Sequence, residues 1–277
     1  MRHPYAAAGL AAALALSAGS ALAENFRFST DSCNHDYSTP YDVDVTAAGL
    51  AFHRTNGTPS KVFLHDGALK VDGRDVAVSP ADAASLRRYE EGVRKLLPEV
   101  AAVSRAGVQM GFDAMTTVTM TFAEPGQRDA MLAKLKRKQA QALREIDEGV
   151  GAGHWSSDRM TETVAGSVSD SVGELVGSVT SSAVSAALSG DSTQVAALTA
   201  RANALDTSIN REMNKRSKDL EARANGICPR LNELADLQMA WKVRTAEGKP
   251  LELMTIKPKD SKDDKDDDED GKKVVMF

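Results

Sequence analysis

The 277-residue chain carries 34 Lys and Arg against 39 Asp and Glu, a formal net charge of −5, with 42% hydrophobic and 26% charged residues. That is ample for a sizeable core and excludes wholesale disorder and collagen-like repeats. Without a general basic field, broad nucleic-acid binding is excluded too.

Residues 1–23 read as a secretory signal. Arg2 and His3 form a short basic start, Ala6–Leu16 supply an apolar stretch, and Ala21-Leu22-Ala23 gives the small-x-small site that a signal peptidase needs. About 11 apolar residues are too few to span roughly 30 Å of hydrocarbon. Cleavage after Ala23 would leave a soluble mature chain from Glu24 in an exported compartment. Cys33 stands too far beyond Ala23 to carry a lipid anchor. Cys33 and Cys228 are the only cysteines, and an even pair in an oxidising compartment predicts one disulfide, tying the start of the fold to its last helix. Two distant thiols make neither a metal site nor a Cys-x-x-Cys redox motif.

From Asp42 to Val78 the pattern has period two: Val43/Val45, Leu50/Phe52, Val62/Leu64, Leu69/Val71 and Val76/Val78 alternate with polar residues. Four or five short antiparallel strands are expected, with hairpin turns at Asn56-Gly57, Asp66-Gly67 and Asp72-Gly73. So small a sheet must cover one face with helices.

Ser79-Pro80 suits an N-cap and first helical position. Leu86, Tyr89, Val93, Leu96, Val100 and Val103 then recur at three and four, predicting a helix to about Phe122 that Pro98 kinks or breaks. Pro125-Gly126 is expected to end that segment. A second helix, about Gln127–Glu148, places Met131, Leu135, Ala142 and Ile146 on one face. Lys134, Lys136, Arg137, Lys138 and Arg144 form a basic face, a candidate membrane or partner surface.

After the Gly149–Ser157 break, a third helix (about Asp158–Leu188) carries Met160, Val164, Val168, Val172, Val176 and Val179 in one stripe beside Gly166, Gly173 and Gly177. Small residues there suit a close helix–helix contact, while Asp170 and Glu174 interrupt any lipid-facing reading. A last helix, about Thr193–Arg244, has Leu220, Ile227, Leu234 and Trp241 at seven-residue intervals, with Leu198 and Leu205 in step. It is coiled-coil-like, interrupted at Gly226 and Pro229.

The expected fold is therefore α+β, mainly α: a small N-terminal antiparallel β-sheet packed on long helices in a hairpin or elongated bundle. It forms one domain over 24–256, β-rich over 42–78 and helical over 79–245. Residues 257–277 form a disordered acidic tail, because Lys257–Lys273 holds six lysines and eight acids with no apolar side chain. The tail closes in Val274-Val275-Met276-Phe277, and a terminal Phe277 carboxylate is the kind of group that peptide-binding domains capture.

Chemistry-bearing motifs are sparse. Nucleophile elbows, phosphate loops, His-Glu-x-x-His pairs and dinucleotide fingerprints do not occur. His35-Asp36 and His65-Asp66 read as exposed turn residues. His53 and His65 on neighbouring strands are the weak candidates for a shared metal. Gly190-Asp191-Ser192 reads as a helix cap, and Asp266-x-Asp268-x-Asp270-Gly271 is half a calcium loop with Phe277 at its twelfth position.

Several features together resemble the YggN-like family of uncharacterised periplasmic proteins. They are the leader, the early Cys33, the run Asp66-Gly67-Ala68-Leu69-Lys70-Val71-Asp72-Gly73, and Tyr89-Glu90-Glu91-Gly92-Val93-Arg94-Lys95-Leu96-Leu97-Pro98, similar to Tyr-x-x-x-x-Arg-x-x-Leu-Pro. A Gly-rich third helix and the late Cys228 complete the likeness, over roughly residues 30–244. Pro229 and the acidic tail depart from it. The resemblance implies a periplasmic location and supplies no catalytic residue.

The functional expectation is a non-enzymatic protein-binding, scaffold or chaperone-like role in the cell envelope, with envelope proteins as partners and neither cofactor nor nucleic acid. One alternative is a metal- or Ser/His-dependent hydrolase, which needs His53, His65 or His154 to converge with carboxylates. Another is a peripheral membrane-surface binder using the third helix or the basic face of the second.

Overall fold

The computed structural model describes residues 27–28, 33, 35–156 and 192–258, together with single positions between 171 and 190. The fold is α+β and mainly helical. Seven strands come first: β1 (Arg27–Phe28), β2 (His35–Ser38), β3 (Asp42–Thr46), β4 (Gly49–His53), β5 (Lys61–His65), β6 (Ala68–Val71) and β7 (Arg74–Val76). Helices α1 (Pro80–Phe122) and α2 (Pro125–Glu148) follow, then a short strand β8 (His154–Trp155). The described chain closes with α3 (Ser192–Asn225), α4 (Cys228–Ala240) and β9 (Thr255–Pro258).

The period-two segment forms the main sheet, antiparallel in the order β7-β6-β5-β4-β3-β8. Alternation turns Val43, Leu50, Phe52, Val62, Leu64 and Leu69 inward, and all six are buried. At Gly49 (φ +145°) a Cβ would stand 2.4 Å from the Leu64 carbonyl oxygen, so the tight strand crossing admits only glycine there. The Asp66-Gly67 and Asp72-Gly73 turns take left-handed backbone at both residues, as a two-residue hairpin requires. Asn56-Gly57 instead lies within the longer 54–60 connection between β4 and β5.

A second sheet, β1-β2-β9, was not legible in the period-two pattern. His35-Asp36 is part of it rather than an exposed turn: His35 pairs with Pro258, and Asp36 is buried.

In α1, the Ser79 hydroxyl accepts the Asp82 N–H at 3.1 Å and Pro80 occupies the first turn. The helix runs unbroken through Pro98. Pro98 is exposed, so water can satisfy the Arg94 carbonyl that the missing N–H leaves unpaired. Pro125 begins α2 instead of closing α1, because a first-turn proline lacks only a donor that would have had no helical partner. Between α1 and α2 lie Phe112, Met115, Ala142, Ile146 and Val150, all buried.

The expected last helix divides. α3 ends at Asn225, residues 226–227 form a turn, and α4 stops at Ala240, short of Arg244. Leu220, Ile227, Leu234 and Trp241 nevertheless are all buried. Cys33 and Cys228 form a disulfide across that break. Most of the expected third helix, with Met160, Val164, Val168, Val179 and Gly166, lies outside the described residues, as do Asp191 and positions 259–277. Positions 171–173 and 175–177 are helical, and Val172 and Val176 there are exposed.

Candidate functional site

The stretch Tyr89–Pro98 builds one wall of an apolar cavity. Tyr89, Val93, Leu96 and Leu97 face inward from α1 at helical spacing. Val43 and Phe52 of the main sheet meet them on one side, and Ile227, Leu231 and Leu234 around α4 on another. Leu253, Met254, Trp155 and residues Tyr37–Thr39 complete the lining.

The cavity measures about 100 Å³ and opens to the surface. Val100, Ser38 and Thr39 are its half-buried lining residues. Two of its polar groups are committed elsewhere: the Tyr37 hydroxyl donates to Asn232 and the Thr39 hydroxyl donates to the Leu253 carbonyl at 2.7 Å. What remains facing the space is carbon. Its volume exceeds the roughly 10–15 Å³ that one water needs and falls below the roughly 150 Å³ of an apolar cavity that takes benzene, so it suits one aliphatic side chain.

Several residues of the Tyr89 stretch have a packing reason. The Tyr89 ring lies 5.2 Å from Trp241 and 6.5 Å from Phe52, centroid to centroid, and burial pushes its phenol pKa far up. At Gly92 a Cβ would stand 2.7 Å from Leu234 Cδ2, so glycine lets α4 approach α1. Glu90 is buried; its carboxylate accepts the Asp66 N–H at 2.9 Å and the Arg94 guanidinium at 2.6 Å. Burial pushes the Glu90 pKa up, but Arg94, the Asp66 N–H and His65 outweigh it and hold the carboxyl below its ordinary value. Leu253 and Met254 are held by Gln238, whose Oε1 accepts both their N–H groups while its Nε2 donates to the Met254 carbonyl.

The opposite face of the main sheet carries a polar cluster. Alternation turns Asp42, Asp44, His53 and His154 outward, where register sets Asp42 against His53 and Asp44 against His154. His154 Nδ1–H donates to Asp44 Oδ1 at 2.7 Å, since a carboxylate only accepts. His53 lies between the two carboxylates, 3.6 Å from Asp44 and 3.7 Å from Asp42. His53 and His65, the weak candidates for a shared metal, do not come together. Antiparallel register puts His53 opposite Lys61 and His65 opposite Ala68, at opposite ends of the β4–β5 pair, and His65 sits 3.6 Å from Glu90 instead. Among the described residues no group of three or more His, Cys, Asp or Glu has metal-site geometry.

On α2, Lys134, Lys136, Arg137 and Arg144 are exposed and Lys138 is half-buried. At about 100° per residue, Lys136, Arg137 and Lys138 span roughly 200° of the helix, so the basic residues form a broad surface rather than a narrow stripe. Lys134 also lines a small crevice with Met131, Leu135 and Leu175. Among the described residues no helix is long and apolar enough to cross a membrane.

The architecture thus defines a two-sheet, disulfide-closed α+β protein with an apolar cavity between sheet and helices. The chain belongs to the DUF2884 family, proteins of unknown function, whose model matches residues 35–254. Neither the curated proteins nor the solved structures returned a match.

Proposed function

We propose that this protein is a non-enzymatic, YggN-like periplasmic binding protein with a scaffold or chaperone-like role, taking an apolar side chain of a partner protein into the Tyr89–Leu97 cavity. The observation that carries this reading is the open, carbon-lined space flanked by committed polar groups. Burying one aliphatic side chain there is worth about 1.5–3 kcal/mol, enough for weak, sequence-tolerant recognition. The leader sequence and the Cys33–Cys228 disulfide support an oxidising compartment. The test is a scan of exported-protein peptides over the purified chain, repeated with Val100→Phe, which fills the rim. Binding that follows apolar side chains and is lost in the variant is expected. Equal binding by both folded chains would sink the proposal.

One observation favours a second reading. The His154–Asp44 contact has the spacing of a base and its orienting carboxylate in a hydrolase. His154→Ala separates the two readings: under the first it leaves peptide binding intact, and under the second it abolishes turnover of an ester substrate.

A further inference from the structure

The cavity lies close to where the described chain leaves off. Leu253 and Met254 line it, and β9, which follows at once, pairs with β2 so that Tyr37 and Ser38, also lining residues, sit opposite Ile256 and Thr255. Beyond Pro258, residues 259–273 contain no Ala, Val, Ile, Leu, Met, Phe, Trp, Tyr or Cys, and the sequence then turns wholly apolar at Val274-Val275-Met276-Phe277. The family match stops at Met254, so this appendage lies outside the part of the chain that the family shares.

We infer that the Val274–Phe277 segment folds back and seats an apolar side chain in the cavity, acting as a built-in competitor for the external ligand. Reach permits it. Returning from Pro258 to Met254 covers four residues of strand, on the order of 13 Å, whereas fifteen intervening residues extend to about 50 Å. Size permits it as well, since the space takes one aliphatic side chain and the segment offers Val274, Val275 and Met276. The polar run between neither competes for a carbon-lined space nor needs burial. Fifteen flexible residues have a root-mean-square span of about 21 Å, which sets an effective concentration on the order of ten millimolar, comparable with the affinity that about 1.5–3 kcal/mol commands.

This inference rests on the reading of the cavity as an apolar-group site, and the test separates the two. In the mature chain, a diazirine amino acid close in size to methionine replaces Met276, and its photo-crosslinks are mapped by mass spectrometry with and without Val100→Phe. In parallel, binding of xenon, a probe small enough for the space and read from its NMR shift, is compared between the full chain and one ending at Lys273. The expected result is intramolecular crosslinks to the peptides holding Leu96, Leu97 or Leu231, lost in Val100→Phe, with a gain of up to about threefold in probe affinity on truncation. Crosslinks confined to a second copy, or mapping elsewhere on the chain with probe affinity unchanged, would overturn the inference and leave the cavity reading standing. Probe binding by neither form, with crosslinks still inside the cavity, would uphold the docked segment and sink the reading of an external ligand.

Discussion

Reducing the Cys33–Cys228 bond offers the most direct energetic test of the fold. The bond closes a loop with a sequence separation of 195, for which chain entropy gives about 5 kcal/mol of stabilisation, acting on the unfolded state. In a chain of this size each kcal/mol moves the melting temperature by about 2–4 °C, so reduction should lower it by roughly 10–20 °C as an upper figure. Both sulfurs are buried, and a Cys33→Ala, Cys228→Ala double variant also loses their packing. Reduced wild-type protein is therefore the cleaner comparison. The assay is thermal and urea unfolding followed by circular dichroism, with and without reductant. Native spectra should coincide, while the urea m-value should rise as the released unfolded chain exposes more surface. A melting temperature within about 2 °C of the oxidised protein would refute the reasoning.

Three further expectations follow from named contacts. Glu90→Gln should cost about 1–3 kcal/mol, below the range for a fully buried pair because Arg94 is one-third exposed. Because the native Glu90 pKa is lowered, its contribution is complete above the ordinary carboxylate pKa and disappears as pH falls through the native value. Acid unfolding should thus be shallower in Glu90→Gln than in wild type, as measured by fluorescence. Gln238→Ala strips partners from two buried N–H groups and one carbonyl, and should cost about 2–5 kcal/mol. Amide exchange at Leu253 and Met254 should quicken before that of α1. Gly92→Ala and Gly111→Ala should differ in size of effect. Both glycines lie in α1, where alanine gains about 1 kcal/mol of helix propensity. Only at Gly92 does the new Cβ press on Leu234, which must shift and offsets that gain, so Gly111→Ala should raise the melting temperature clearly and Gly92→Ala should fall below it.

Much of the fold was legible where the physics is local. The Asp42–Val78 alternation gives five strands, and the Ser79-Pro80 cap sets the start of α1. The seven-residue spacing from Leu220 to Trp241 picked out buried positions even though the helix breaks between them. Pro98 does not break α1 and Pro125 opens α2, because a proline's effect depends on whether the lost donor had a partner and whether water reaches the freed carbonyl. The β2–β9 pair escaped notice because two four-residue strands, far apart in sequence, carry too little periodicity to register.

By itself the sequence determined strands β3–β7, the start of α1 and the partner of each cysteine. Alternation, helical spacing and the parity of two thiols are properties of neighbouring residues or simple counts. Tertiary structure alone decided the cavity, whose walls come from both sheets, α1, α4 and the 253–254 stretch, none apolar in an unusual way when read alone. It alone brought His154 to Asp44 as well, since two helices separate β8 from β3 along the chain. Sites of that kind arise from register and close approach between distant segments, and no local pattern encodes them.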